Sequence, residues 1–192
     1  MGMGMGMGMG MGMGRGPMEQ KAIWKCDTNP NVTIQGNSVL KMPKGMSALV
    51  YSPLKTFGRG NHTFTVEIDY SDGKASIGVI TKSALDRFKA RFSSMNPVQQ
   101  TREMEKYKFI GMDEEEWGIQ ESAFFYNSGS RYDTNQPAWR KGTHVTYNVR
   151  IDADIGMVEF ARGDNRWSQT IARAEVVFVV LAAPGVSYSI TG

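Results

Sequence analysis

The sequence is poor in the residues that build covalent staples, metal centres and hydrolytic sites. It holds one cysteine, Cys26, and two histidines, His62 and His144. A single thiol excludes an internal disulfide framework and any cysteine-based zinc cluster. No stretch approaches the ~18 consecutive apolar residues of a membrane-spanning helix. Charge of one sign is also scarce. The 22 Lys and Arg stand against 19 Asp and Glu, a net +3, and a phosphate footprint needs clustered charge rather than a small surplus. What is present is an ordinary globular mixture, 41% hydrophobic and 10% aromatic over 192 residues. That length suggests one domain, large enough to bury a core without staples.

Residues 1–14 are Met-Gly repeated seven times. Glycine at every second position opposes a helix, at about 1 kcal/mol per residue against alanine. A strand of this pattern would carry no side chains on one face. The apolar core of a secretory leader is missing, and Gly6 stands where myristoylation needs Ser or Thr. A methionine-rich copper or hydrophobic-partner arm would want spacing logic or His and Cys company. Residues 1–17 are therefore read as a disordered low-complexity tail and residues 18–192 as the folded domain.

The body reads as strands. In His62-Thr63-Phe64-Thr65-Val66-Glu67-Ile68-Asp69-Tyr70, the residues Phe64, Val66, Ile68 and Tyr70 share one face. Thr63, Thr65, Glu67 and Asp69 share the other, the alternation of a half-buried antiparallel strand. Ser71-Asp72-Gly73-Lys74 turns the chain into Ala75–Ile80. Val32–Ile34 and Val39–Leu40 flank Gly36-Asn37, and Pro43, Gly45 and Pro53 are read as punctuating a loop. Trp117–Gln120 and Ala123–Tyr126 follow. Val145, Tyr147, Val149 and Ile151 alternate, and Asp152–Gly156 turns into Met157–Phe160. Val176–Leu181 is continuously apolar, a strand buried on both faces. Many short strands separated by turn signals make an all-β sandwich or barrel.

Residues 81–112 break that rhythm. Leu85, Phe88, Phe92 and Met95 recur at helical spacing, and Asn96-Pro97 ends the stretch. A partly helical insertion near 82–106 is expected. Lys82, Arg87, Lys89, Arg91, Arg102, Lys106 and Lys108 crowd this segment, and Asp113-Glu114-Glu115-Glu116 follows it. Contact with RNA through residues 82–108 is one reading. A solvated surface balanced by the adjacent acidic run is preferred.

Taken in order, these segments resemble the SPRY (B30.2-like) domain. The resemblance is carried by Gly60–Ile68, Ile77-Gly78-Val79, Tyr107–Gly111, Trp117-Gly118, Phe125–Gly129, Val149–Phe160 and the Val177–Leu181 strand. It covers about Trp24 to Gly192. Trp24 with Asn31-Val32, and the spacing of Tyr107, Gly111 and Trp117-Gly118, are most like the SPRY domains found beside a SOCS box. No SOCS box follows Gly192, and Ala182-Ala183-Pro184-Gly185 stands where that subfamily places a pocket aromatic. Its peptide preference therefore does not transfer. The resemblance implies a bent antiparallel β-sandwich, no catalysis and no cofactor, and a protein-binding surface built from edge loops. It places Lys41 and Pro43 in one pocket loop and Tyr107, Phe109 and Ile110 in another. On the residues alone, Phe109 and Ile110 read more as core than as contacts, and Lys41 as solvated. Trp24, Trp117 and Trp139 read as core, and Trp167, in a polar stretch, as exposed.

Other chemistry finds little support. Glu67-Ile68-Asp69 resembles the start of a jelly-roll glycosidase strand, but Ser71 and Asp72 stand where the second catalytic carboxylate would be a glutamate. Asp152 and Asp154 suggest a calcium loop, yet Gly156 and Gly163 occupy later ligand positions. The expected function is binding of a short peptide or loop of another protein by an intracellular, cytoplasmic, monomeric module, without nucleic acid or membrane. The alternative is a concanavalin-like carbohydrate-binding module or degenerate glycosidase. A carbohydrate reader would line exposed aromatics along one sheet face, whereas a protein reader would gather them in edge loops.

Overall fold

The computed structural model describes residues 24–26, 32–35, 38–40 and 47–192. Lys41, Pro43 and the Met-Gly run lie outside the described residues. The strands are β1 (Thr33–Gln35), β2 (Ser38–Leu40), β3 (Ala48–Phe57), β4 (Asn61–Tyr70) and β5 (Ser76–Thr81). Two helices follow, α1 (Lys82–Ser93) and α2 (Pro97–Lys106). Then come β6 (Glu116–Gln120), β7 (Phe124–Asn127), β8 (Ser130–Asp133), β9 (Thr143–Asp152) and β10 (Met157–Arg162). The last three are β11 (Asn165–Thr170), β12 (Val176–Ala182) and β13 (Val186–Thr191).

The strands form two antiparallel sheets. One has seven strands in the order β1-β2-β13-β4-β9-β10-β11, the other six in the order β3-β12-β5-β6-β7-β8. They pack face to face as a sandwich. The alternation of β4 sets the register: Phe64, Val66 and Ile68 face the core with Val149, Tyr147 and Val145 of β9 opposite them. Trp24, Trp117 and Trp139 are buried in this core as expected, and the Trp139 indole N–H donates to the Tyr147 hydroxyl at 3.0 Å.

A second apolar layer lies on the outer face of the six-stranded sheet. Val177, Val179 and Leu181 of β12 point away from the sandwich, toward Leu85, Phe92 and Met104 of the helices. Val176, Phe178 and Val180 point inward. The apolar run of β12 is thus buried on both faces, between a sheet and a helical hairpin. Each helix is locally specified. The Thr81 hydroxyl caps α1 by accepting the Ala84 N–H at 3.1 Å. Asn96 and Gln99 form a reciprocal capping box on α2, with Pro97 in its first turn. Asn96-Pro97 therefore ends one helix and starts another.

Three sequence readings need correction. Pro53 does not mark a loop; it lies within the ten-residue β3. β3 is the edge of its sheet, and its register against β12 shifts between Val177 and Val179. An edge strand with an irregular ladder tolerates the missing proline N–H. β8 and β11 were masked by their polarity, because both are edge strands with mostly exposed side chains. Trp167 is not a free surface aromatic. It packs against Phe125 and Tyr132 where β8 and β11 lie at the same edge of the sandwich, and its indole nitrogen is sealed from solvent.

Candidate functional site

The chain leaves α2 at Tyr107, whose N–H closes the helix on the Glu103 and Met104 carbonyls. From there to β6 it runs over the outer sheet face. Ile110 is the anchor. It is 0% exposed, its N–H donates to the Ser76 hydroxyl at 3.2 Å, and its side chain lies on Gly78 and Gly118. Gly111, at φ +110°, lets the backbone pass against Tyr126, where a β-carbon would lie 2.3 Å from the Tyr126 carbonyl oxygen. The turn between β7 and β8 then clips the loop in place: Gly129 N–H donates to Gly111 O at 2.9 Å and Ser128 N–H to Asp113 O at 3.2 Å.

Between this loop and α1 lies a cleft of about 340 Å³. Its apolar lining is Ala84, Phe88, Tyr107 and Met112, and its charged lining includes Arg87, Arg91, Lys106, Glu103, Glu115 and Glu116. Most of the charges answer one another. Arg87 pairs with Glu115, and both Arg91 and Lys106 reach Glu103, at 3.7 and 3.2 Å. Glu115 also accepts from the Thr81 hydroxyl at 2.9 Å. That hydrogen bond, aided by Arg87, holds the Glu115 carboxyl below its ordinary range. One pair, Arg87 with Glu115, thus ties the basic segment to the acidic run after it, while Arg91 and Lys106 are answered within the segment by Glu103.

The floor is different. Glu116 is 7% exposed and its carboxylate accepts the Gly111 N–H at 3.1 Å. Burial pushes this carboxyl up, against the downward pull of that N–H. The Tyr107 hydroxyl sits beside it, closed to solvent and without a hydrogen bond of normal geometry. Burial first, and the Glu116 charge second, push the tyrosine well above its ordinary value. The Tyr107 ring lies 6.0 Å from that of Phe88, centroid to centroid.

The structure sorts the sequence candidates. Tyr107 lines the cleft. Phe109 is half-buried, its ring tilted against that of Tyr126 with centroids 4.2 Å apart. Ile110 belongs wholly to the core and offers a partner no surface. Phe88, Arg87 and Met112 line the cleft and were not singled out as site residues. Phe88 had a signal, since it belongs to the helical apolar series, but a helical series alone does not tell a core position from a cleft wall.

The remaining constellations resolve into structural roles. Asp154 accepts the Gly60 N–H at 3.0 Å and Asp152 the Ile155 N–H at 3.3 Å, so these carboxylates hold turns. Among the described residues no group of three potential metal ligands gathers. Asp69 bonds His144 at 2.7 Å on the outward face of the seven-stranded sheet. There Thr63, Thr65, Glu67, Thr146, Asn148, Ser187 and Ser189 also point outward, and no described aromatic does. No helix among the described residues is long and apolar enough to cross a membrane.

No family model matches the chain, and no curated protein matches it. Solved structures do. The SPRY domain of human HERC1 superposes with a TM-score of 0.55 at 11% identity, covering 88% of this chain and 94% of that one. The TRIM65 PSpry domain gives 0.54 at 11% identity, with 89% of each chain covered. The stonustoxin structure gives 0.55 at 14% identity, covering 85% of this chain and 26% of that one. The two-sheet topology and these superpositions together show that the chain has the SPRY fold.

Proposed function

We propose that the chain is a non-catalytic interaction module that binds a short peptide or loop of another protein at the cleft between α1 and the 107–116 loop. The observation that carries this reading is the cleft itself: a half-open concavity on a SPRY fold, walled by Phe88, Tyr107 and Met112 and rimmed by charges fixed in ion pairs. An aromatic pair beside an exposed methionine gives apolar contact area, and paired charges give orientation. Tyr107 and Phe109 serve the site from its floor and flank, and Ile110 supports them from below; Lys41 and Pro43 are retained as partner contacts on the SPRY resemblance alone. The polar, aromatic-free outward face of the seven-stranded sheet supports a protein reader over a carbohydrate reader.

The test is peptide display against the full chain, followed by affinity measurement of an enriched peptide on wild type, Phe88→Ala and Met112→Ala. Met112 is 41% exposed, so its truncation leaves the fold in place. Weakening by about tenfold in both variants supports the cleft, since 1.4 kcal/mol is tenfold. Affinity unchanged in Met112→Ala removes the cleft from the site. Failure to enrich any peptide, alongside a positive glycan array, favours the carbohydrate reading.

A further inference from the structure

The edge strand β8 carries a pattern that the cleft does not explain. All four residues, Ser130-Arg131-Tyr132-Asp133, are exposed, and among the described strands β8 pairs with β7 alone. A row of unpaired main-chain groups at a sheet edge is a template for another strand. The β7–β8 turn fixes which groups are free. Ser128 and Gly129 have φ of 51° and 71°, a two-residue turn with both central residues left-handed, and Asn127 faces Ser130 across it. The flanking pair of such a hairpin exchanges both hydrogen bonds, and the ladder then alternates. Ser130 and Tyr132 therefore spend their main-chain groups on β7. Arg131 and Asp133 point theirs outward.

Those same two residues carry opposite charges on one face of the sheet. Arg131 lies over the Phe124 ring at 4.6 Å, and Phe124 sits opposite Asp133. Consider a second copy of β8 laid antiparallel along the first, about a two-fold axis perpendicular to the sheet. Residues facing one another must then share a sheet face. Centring the axis on Tyr132 sets Arg131 of each copy against Asp133 of the other. The outward N–H and C=O groups fall into register as hydrogen-bonded pairs, with two opposite-charge contacts on the same face. Tyr132, 39% exposed, meets its own copy at the closer, non-hydrogen-bonded position. Moving the axis to Arg131 sets like cations against each other, and moving it to Asp133 sets like anions. Charge thus selects one register of the three.

We infer that β8 is a self-complementary edge through which two copies of this chain pair, joining their six-stranded sheets into one continuous sheet. This departs from the monomer expected of the sequence and is independent of the peptide cleft. The overlap is three residues a side, well short of the ~1,200–2,000 Å² of a standing interface, so the dimer is weak and concentration-dependent.

The test is sedimentation velocity of the full chain from about 10 μM to about 1 mM, with circular dichroism confirming that each variant folds. Wild type should shift toward a dimer as concentration rises. Arg131→Asp and Asp133→Arg, each alone, should weaken association about tenfold or more, because both cross-strand contacts become like-charged. An equimolar mixture of the two variants should associate again. One chain then presents only carboxylates at the edge and the other only cations, and a merely structural role for either residue would not restore pairing. The double variant Arg131→Asp/Asp133→Arg should also dimerise. A wild type that stays monomeric throughout overturns the inference and leaves the edge to an extended segment of a different protein. Association that survives the single reversals, or a mixture that stays monomeric, overturns it as well.

Discussion

Gly78 on β5 stands directly opposite Gly118 on β6, and Ile110 fills the bare patch these two glycines leave on the outer sheet face. A β-carbon at Gly118 would lie 2.6 Å from the Ile110 carbonyl oxygen and 2.7 Å from its β-carbon. One at Gly78 would lie 2.3 Å from the Trp117 carbonyl oxygen. The glycines are needed for closeness rather than for turning, and they decide how tightly the cleft loop sits on the sheet.

Gly118→Ala should therefore destabilise the chain by about 1–3 kcal/mol, the range for overpacking a closed site. Urea denaturation is the measurement. A midpoint equal to wild type would contradict the seating of Ile110.

The pH dependence of stability should carry the mark of buried carboxyls. Burial raises Glu116, and it raises Glu121, whose carboxylate accepts the Ala75 N–H at 3.0 Å. The folded chain holds these protons more tightly than the unfolded chain. Their contribution is fully present below the ordinary value near 4.5 and is lost as pH rises through the folded value. Glu116→Gln keeps an oxygen for the Gly111 N–H and removes the cost of burying charge. The variant should be at least as stable as wild type near pH 7, and its stability should fall less between about pH 5 and pH 7. A parallel pair of stability curves would show that Glu116 is solvated.

Tyr107 separates ring from hydroxyl. Tyr107→Phe deletes a sealed hydroxyl without a normal hydrogen bond and should be neutral or stabilising by up to about 1 kcal/mol. Tyr107→Ala removes a ring packed against the helix–sheet cluster and should cost about 2–4 kcal/mol, somewhat under a fully buried aromatic. Thermal unfolding of the pair is the check. Phe destabilising as much as Ala would mean the hydroxyl holds a real bond, with Glu116 its partner.

Asn96 should matter out of proportion to its exposure. Asn96→Ala opens the capping box on α2 and should cost about 1 kcal/mol. Amide exchange at Gln99, whose N–H the Asn96 side chain accepts at 2.9 Å, should quicken in the variant. Unchanged protection there would assign the cap to the backbone alone.

Much of this architecture is legible in the residues. The β4 alternation, the continuous apolar run of β12 and the helical spacing of Leu85, Phe88 and Phe92 each name their element because burial on one face, two faces or one stripe leaves a distinct period. Edge strands are harder. β8 and β11 bury too little to show a period, and β3 hides behind Pro53, whose lost N–H matters little at an edge. The site was legible only in part. Tyr107 is marked by its place after the helix, but Arg87 and Met112 reach the cleft through tertiary packing that no local spacing encodes. The pairing of Arg87 with Glu115 joins residues 28 positions apart. The sequence shows the two opposite charges there but not their contact.

The helical hairpin on the outer sheet face has a further consequence, and it concerns what the fold can lose. A strand apolar on one face can gain or lose a neighbouring cover freely. β12 cannot, because Val177, Val179 and Leu181 share one apolar cluster with Leu85, Phe92 and Met104 of the hairpin and with Ile110 of the loop that follows it. Deleting residues 82–106 would remove Leu85, Phe92 and Met104 from that cluster and uncover apolar surface on a central strand, an adhesive patch in place of a covered one. Loss of the hairpin would be tolerated only if the outward positions of β12 turned polar in step. The outward residues of this seven-residue strand thus announce a second layer in the sequence itself: a central strand apolar at every position needs cover on both faces.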